Sequence, residues 1–468
     1  MLKKLRIQNF KGWKDTGIIR MSPITLFFGT NSSGKSSIGQ FLMMLKQTVE
    51  SSDRKAVFFP GGTNSAVQLG SYKEMVYRRK LENRIMFEYE WTLSSQLKFK
   101  DVVSGTSYAA DRMEFSANVG SENDQSRKTN VGQFRYILPL QDGHLLSIGM
   151  RRTESQRHQY KVEVEKYPLK RNPGRAWNLG APVRFYGFPD EVAGYHQNAE
   201  FVKNINFRHE TLFNAISYIG PLRIKTDRLY AWSGITPESV GYCGENTVAA
   251  LLASRGRKIN TGYKKTTKPI EQIVAKGLKD MGLIEEFAVN PISEQRQEYE
   301  VNVRIKGSKE WVDLPDVGFG ISQVLPVLVQ CFYAPPQSII LMEQPEIHLH
   351  PSAQAALADV MIDVINSREN GKDRNIQLVI ETHSEHFLRR LQRRIAEDSL
   401  AQEKISAYFA DISKAPAALE PLQLDQFGNI QNWPDNFFGD EMGDITKQAK
   451  AAMNKRISPD AISSEDTK

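Results

Sequence analysis

Apolar residues recur along this chain with changing period, and each period predicts a different element. Residues 2 to 9 alternate, with Leu2, Leu5 and Ile7 set against Lys3, Lys4 and Arg6, which marks a half-buried strand. A turn at Gly12 and short strands at 18–20 and 24–28 follow. The second, Ile24–Phe28, is solidly apolar, as a central strand should be. After a Gly/Ser-rich loop, Ile38, Phe41, Leu42, Leu45 and Val49 share one face of a helix predicted over 36–49. Between 83 and 165 the pattern returns to short alternating runs at 85–91, 134–138 and 160–164, separated by Ser/Asn/Asp/Gly clusters. This predicts an antiparallel sheet with long loops, and residues 120–130 (GSENDQSRKTN) read as a disordered loop tip.

A Pro/Gly/Asn-rich stretch at 165–200 is irregular. Past the run Tyr218-Ile219-Gly220-Pro221-Leu222-Arg223, a helical region is predicted over 245–288. The rest alternates: strands at 299–305, 338–343, 376–381 and 405–410, helices at 320–333, 351–366 and 385–396. That alternation predicts a parallel, doubly wound sheet. The polar tail after about 454 reads as disordered. The expected class is α/β. Its parts are an N-terminal lobe at 1–95, an antiparallel β-rich subdomain with an irregular insertion at 96–215, a helical insertion at 216–298, a C-terminal lobe at 299–445 and a tail at 446–468.

Composition narrows this picture slightly. The 468 residues, 40% of them hydrophobic, suffice for two or three domains. Sixty-one basic against 54 acidic residues leave a net charge of +7, which permits nucleic-acid contact without requiring it. Cys243 and Cys331 are far apart and form no CxxC pair, so they read as inert thiols in a reducing compartment. The start, MLKKLRIQNFKGW, lacks the apolar run of a signal peptide, and no stretch reaches the ~18 apolar residues of a membrane span. A cytoplasmic protein with no membrane contact is expected.

The chemistry concentrates at strand ends. Gly29-Thr30-Asn31-Ser32-Ser33-Gly34-Lys35-Ser36 fits G-x-x-x-x-G-K-[ST], with an apolar strand before it and an amphipathic helix after it. In that setting the glycines let backbone N–H groups turn towards phosphate oxygens. Lys35 neutralises the β and γ phosphates, and Ser36 ligates Mg²⁺. Ser338–Glu343 is an apolar strand ending in an acid of the kind that holds the metal's water shell, followed by Gln344-Pro345-Glu346. Ile376–Glu381 is another such strand, running into Thr382-His383, where an imidazole can reach a γ phosphate. Asp316-Val317-Gly318-Phe319-Gly320-Ile321-Ser322-Gln323 leads into a helix; it suits a second anion site and equally a glycine turn with a capping serine.

Together these segments resemble the ABC-type ATPases of the RecF, Rad50 and structural-maintenance-of-chromosomes kind, over residues 1–95 and 300–440. Leu5–Trp13 is similar to their opening strand, 318–323 to their glycine signature and His383 to their switch histidine. Glu343–Pro351 (EQPEIHLHP) and Glu381–Ser384 resemble the branch holding the overcoming-lysogenization-defect nucleases and the ATPases of anti-phage systems. The ending Asp425–Gly428, Trp433-Pro434 and Phe437-Phe438 is similar to compact members such as the Septu ATPase.

The resemblance implies a P-loop NTPase of ABC-ATPase head type using ATP and Mg²⁺. Lys11, Asn31, Ser32, Ser33, Gly34, Lys35, Ser36 and Ser37 would bind ATP. Glu343 would join Ser36 on the metal, and His383 would sense the γ phosphate. Gly318, Gly320 and Ser322 would touch ATP held by a second copy. Gln68 stands near a Q-loop position. It also implies a self-sandwiched dimer or higher oligomer, and a separately encoded nuclease partner of the His-Asn-His type. The chain departs from the family pattern in lacking heptads for a coiled-coil arm and in carrying Gln344 where a catalytic glutamate normally stands; Glu346 is the substitute base on offer. The expected role is therefore a nucleotide-gated regulator or scaffold of a nuclease in anti-phage defence, with slow hydrolysis. The alternative is a stand-alone RecF-like repair ATPase that binds DNA.

Three further features have plainer readings. Arg389, Arg390, Arg393 and Arg394, and the basic residues at 255–268, read as solvated faces before they read as DNA contacts. His348 and His350 suit a turn better than a metal site. Trp433 with Phe437 and Phe438 reads as a hydrophobic clasp or a docking point.

Overall fold

The structure is a computed structural model that describes residues 1–122, 128–153, 160–174, 179–293, 296–411, 416–434, 437 and 441–457. Two sheets organise it. The first is antiparallel and eight-stranded, built on Leu2–Phe10, Ile85–Lys100, Ser107–Ser121, Thr129–Pro139, Leu145–Arg152 and Tyr160–Glu165. The second runs in the spatial order 216–219, 339–343, 377–381, 24–29, 405–411, 418–421; all its neighbours pair in parallel except the last, a hairpin strand. The phosphate-loop strand thus lies deep in the parallel sheet, although the strand next to it comes from more than 350 residues further along the sequence.

Strand pleating assigns the central sheet's residues to two cores. Phe27, Ile339 and Leu341 point into a core shared with the antiparallel sheet and the helix Lys35–Glu50. Ile24, Leu26, Phe28, Ile340 and Met342 point into one shared with the helices Phe319–Tyr333, Pro351–Ile365 and Glu385–Ala396. The buried Gln377 side chain ties the two ends of the chain together. Its amide oxygen accepts from the Leu2 N–H at 2.9 Å, and its nitrogen donates to the Leu2 and Ser22 carbonyls at 2.9 and 3.1 Å.

The parallel strands and their helices fall within a residue or two of their expected bounds at 24–29, 339–343, 377–381 and 405–411. Elsewhere the structure corrects the reading. The strand expected at 299–305 is observed at Glu298–Arg304. It belongs to a separate antiparallel sheet because a hairpin, not a crossover helix, joins it to Glu286–Pro291. The segment 216–298 is not a helical insertion. It opens with a strand of the central sheet and holds two separate helices, Thr247–Ala253 and Ile270–Asp280, among short strands. A helix at Phe201–Asn214 follows the irregular stretch. A helix covers Glu441–Ile457, in keeping with its Ala, Lys, Gln and Met content, and residues 458–468, most of the tail expected to be disordered, lie outside the described residues. Of the proposed loop tip at 120–130, residues 123–127 lie outside the described residues, and the flanks are strand. Among the described residues no helix is long and apolar enough to cross a membrane.

Candidate functional site

Parallel strands place their C-terminal ends on one edge, and a ligand crevice forms there. At this edge the strand Ile24–Gly29 breaks into the phosphate loop. Gly29 (φ 141°) and Gly34 (φ 89°) are left-handed, and a Cβ on Gly29 would sit 2.6 Å from the Ala410 carbonyl. Only glycine allows that approach. Trp13, fully buried, supports the loop from below: its indole N–H lies 3.1 Å from the Gly34 carbonyl and 2.9 Å from the Ser37 hydroxyl. The Ser37 hydroxyl donates in turn to the Gly34 carbonyl. Asn31 and Ser32 stand exposed at the tip, and Ser33 is buried against Lys35.

The Lys35 ammonium is 4% exposed and folds back on the loop, donating to the carbonyls of Gly29 at 3.0 Å and Thr30 at 2.7 Å. Burial lowers its pKa, and Glu381, 4.0 Å away, opposes that shift. Lys11 is half-buried and donates to Gln40 at 2.5 Å on the helix that the loop opens. Burial lowers its pKa as well, and Glu343 opposes the shift.

Glu343 faces Lys11 and Glu381 faces Lys35, and a third carboxylate, Glu346, lies near Glu381. Glu343 and Glu381 are paired residues at the ends of adjacent parallel strands. Burial, with the neighbouring Glu381, pushes Glu343 up to about 7. Glu381 is raised by burial too, while its hydrogen bond to Ser36 and the nearby Lys35 pull it down. Glu381 thus stands beside Ser36, in addition to the Glu343 expected to share the metal with it. Glu346 is 6% exposed; one oxygen accepts from the Thr382 hydroxyl at 2.6 Å and the His383 N–H at 2.9 Å, and burial raises its pKa. One buried oxygen of Glu346 and one of Glu381 have no partner. An orphaned buried carboxylate oxygen is costly unless a ligand completes it.

Among the described residues no group of three or more His, Cys, Asp or Glu side chains could hold a metal unaided. Mg²⁺ at a nucleotide site does not need one: it takes one or two carboxylates and fills the rest of its octahedron with water and phosphate oxygens. The all-oxygen set Ser36, Glu343 and Glu381, with one oxygen orphaned, fits that ion.

Gln344 occupies a left-handed turn (φ 45°), its N–H donating to the Glu381 carbonyl at 2.8 Å. His383 is largely exposed, and partial desolvation of its ring together with the nearby Lys35 lowers its pKa. The structure therefore brings together Lys11, the phosphate loop, Glu343, Gln344, Glu346 and His383. It does not join Gly318, Gly320 and Ser322 to them. The Ser322 hydroxyl donates to the Phe319 carbonyl at 2.8 Å, Gly320 backs onto the His348–Leu349 turn, and among the described residues no hydrogen bond or ion pair links this helix start to the phosphate loop.

The other features resolve plainly. His350 caps the helix Pro351–Ile365, and His348 occupies a left-handed turn (φ 62°). Arg390 and Arg394 both reach Asp359 at 2.6 Å, while Arg389 and Arg393 pair with Glu385 and Glu397. The Gln68 side chain is exposed and donates to the Thr63 carbonyl at 2.9 Å. Phe437 packs its ring on Phe28 and Phe409 at 5.2 and 5.0 Å, closing over the phosphate-loop strand; Phe438 lies outside the described residues. Sequence reasoning missed Glu381, although it carries the signal that found Glu343, an apolar strand ending in an acid. It also missed the role of Trp13, which no local pattern announces.

Comparison with known proteins gives the family of the chain. Over 426 residues the chain is 21% identical to an ATP/GTP phosphatase of Helicobacter pylori, covering 86% of this chain and 90% of that protein. Among solved structures it is similar to the SMC head domain from Thermotoga maritima, at 11% identity, TM-score 0.38 and coverage of 90% of this chain and 99% of that one. It is also similar to the Smc head domain with an extended coiled coil, bound to the C-terminal domain of ScpA, derived from Pyrococcus furiosus. There the identity is 9%, the TM-score 0.40 and the coverage 96% and 99%. Residues 400–448 match a family described as a protein of unknown function (DUF3696). Residues 1–129 and 252–388, together more than half of the sequence, match the family described as AAA ATPase domain, and the chain belongs to that family.

Proposed function

We propose that the chain binds and slowly hydrolyses ATP at this strand-end crevice, and that nucleotide occupancy gates a separately encoded nuclease of the His-Asn-His type in anti-phage defence, much as the Septu ATPase is paired with its nuclease. The observation that carries the reading is the turn at 343–346. The residue after the strand-end acid is Gln344, whose amide orients a water but takes no proton from it. The nearest substitute, Glu346, already accepts two hydrogen bonds from the Thr382–His383 segment. A site built this way holds nucleotide longer than it turns it over.

Its remaining groups fit that task. The phosphate-loop N–H groups and Lys35 bind the triphosphate. Ser36, Glu343 and Glu381 would hold Mg²⁺, which when bound supplies positive charge to the phosphates. His383 offers the γ phosphate a hydrogen bond and, through Thr382 and Glu346, a link back to the turn. Phe319 is 70% exposed beside Gly318 and Gly320. An apolar ring so exposed at a helix start suits burial against a second copy, with two ATP molecules between the pair. DNA contact is a weaker element of the reading, because the arginines of Glu385–Ala396 already have acidic partners.

Co-expression with the neighbouring genes is the test. The expected result is a nuclease that co-purifies with ATP-loaded protein and is released or activated when ATP is exchanged for ADP. A chain that cleaves DNA alone, or that stays monomeric by light scattering with ATP, overturns the reading.

A further inference from the structure

The run Tyr218-Ile219-Gly220-Pro221-Leu222-Arg223 has no role in the site as described so far, yet it wraps around the acidic strand end. Its first part, Ile216–Ile219, is the edge strand of the parallel sheet and pairs with Ile339–Met342. Tyr218 sits opposite Leu341, two residues short of Glu343, and its hydroxyl donates to one Glu343 oxygen at 2.8 Å. The chain then turns at Gly220, whose N–H donates to the Tyr242 carbonyl at 2.8 Å, and the Ile224 N–H donates to the Cys243 carbonyl at 2.9 Å. Between those anchors Arg223 comes back to the same strand end. Its guanidinium donates to the Glu343 carbonyl at 3.1 Å and the Gln344 carbonyl at 3.3 Å, and its Nε has no partner.

Both contacts are costly as scaffolding alone. Arg223 is 8% exposed and donates its hydrogen bonds to two neutral carbonyls rather than to a carboxylate; burial pushes its pKa down to about 10, opposed by the nearby Glu346 and Glu343. The turn it clasps places Gln344 at a positive φ, a conformation unfavourable for a non-glycine residue. Such strain persists where the surroundings over-determine it, and it clusters at functional sites.

We propose that Tyr218 and Arg223 are positioning residues for the metal–nucleotide site. Tyr218 occupies one Glu343 oxygen so that the other presents to the metal's water shell, and Arg223 locks the Glu343–Gln344 turn so that the Gln344 amide faces the attacking water. This rests on the Mg²⁺–ATP reading above. An outer partner of this kind sets the orientation of a metal-facing carboxylate, and its loss typically weakens metal affinity ~10–100-fold.

The test reads metal binding directly, using the full chain, Mn²⁺ in place of Mg²⁺, and a non-hydrolysable ATP analogue. Free Mn²⁺ is followed by electron paramagnetic resonance. Tyr218→Phe keeps the ring and removes the donor. It should weaken analogue-dependent Mn²⁺ binding ~10–100-fold, leaving analogue binding in EDTA and the melting temperature at wild-type values. Arg223→Lys keeps the charge but replaces the planar fork with a single ammonium, and should lose ~10-fold. Wild-type Mn²⁺ affinity in both variants overturns the inference, as does a lowered melting temperature with affinity intact. A wild-type chain that takes up no analogue-dependent Mn²⁺ overturns the ATPase reading itself, and this inference with it.

Discussion

Two buried polar clusters in this molecule look alike in composition and differ in what they leave unmade. In the antiparallel half, His209 is fully buried among Tyr89, Tyr136, Phe115, Phe185 and Phe213. If the Tyr136 hydroxyl donates to the Tyr186 carbonyl, 3.1 Å away, its oxygen accepts from the His209 Nδ1–H, and the Tyr89 hydroxyl donates to His209 Nε2 at 2.8 Å. That one tautomer satisfies every polar atom of His209, Tyr89 and Tyr136. At the strand ends, by contrast, Glu346 and Glu381 each keep a buried oxygen with no partner. A closed network holds a fold together; an open one is held in place by the fold and waits for a ligand. Titratable residues occur in both clusters, so residue type alone does not separate a structural centre from a functional one.

The largest expected effect belongs to the open cluster. Gln344→Glu supplies the missing base and should raise single-turnover hydrolysis ~10²–10⁴-fold without tightening ATP binding. If Glu346 already serves as the base, Gln344→Glu changes little and Glu346→Gln abolishes turnover. Rapid-quench measurement on the wild type and both variants separates the two. Fast wild-type turnover insensitive to both changes would falsify this account of the turn.

Next in size is Lys35→Ala. It removes the cation placed for the β and γ phosphates, so ATP affinity should fall ~100-fold or more, on the scale of ~3 kcal/mol for a lost charge-assisted contact. The fold should survive, because apart from its 4.0 Å ion pair with Glu381 that ammonium bonds only to loop carbonyls and one loop hydroxyl. Calorimetric titration and circular dichroism check the two halves. Unchanged affinity removes the basis of the whole functional reading.

How far the sequence reached follows the same division. Four of the parallel strands were legible because each is a short, largely apolar run ending in Gly or an acid, and the phosphate loop because its residue types have no other common use in that setting; the edge strand Ile216–Ile219 has no such ending and was missed. The strand at 298–304 was misplaced because periodicity reports that a segment is extended, not which sheet it joins. The strands Ser107–Ser121 and Leu145–Arg152 went unnoticed, the first because bulges and small residues blur its alternation and the second because its burial does not alternate. Glu381, Tyr218 and Arg223 matter because of what stands across from them in space. Tyr218 lies 125 residues from Glu343 in sequence, and no local pattern carries that distance.

Stability should split the clusters in opposite directions, with smaller magnitudes. His209→Phe orphans the Tyr89 hydroxyl in the closed network and should cost ~2–3 kcal/mol, with ATP affinity unchanged. Glu381→Gln removes a buried, raised carboxylate from the open one. It should leave nucleotide-free stability equal or up to ~1 kcal/mol higher while metal binding is lost. Urea unfolding with parallel nucleotide titrations reads both. Equal destabilisation by the two substitutions erases the distinction.

The smallest effect is a slope in pH, and the clusters tilt it oppositely. Burial holds the His209 pKa well below its ordinary value of 6.5. Below pH 6.5 the unfolded chain therefore binds a proton that the folded chain refuses, so this group's contribution is complete above 6.5 and is lost as pH falls, by at most ~1.4 kcal/mol per pH unit. Glu343, pushed up to about 7 from 4.5, has the reverse sign. Between those values the folded chain keeps a proton the unfolded chain has released, so its contribution grows as pH falls from 7 towards 4.5. In the nucleotide-free wild type in EDTA the two slopes oppose each other between pH 6.5 and 4.5. Glu343→Gln removes one and should uncover an acid-side loss of ~1 kcal/mol per unit, and His209→Gln removes the other and should leave stability level or rising with acid. Urea midpoints at half-unit steps from pH 7.5 to 5 measure each slope. If the two variants give the same slope, the closed and open clusters do not titrate as their geometry requires.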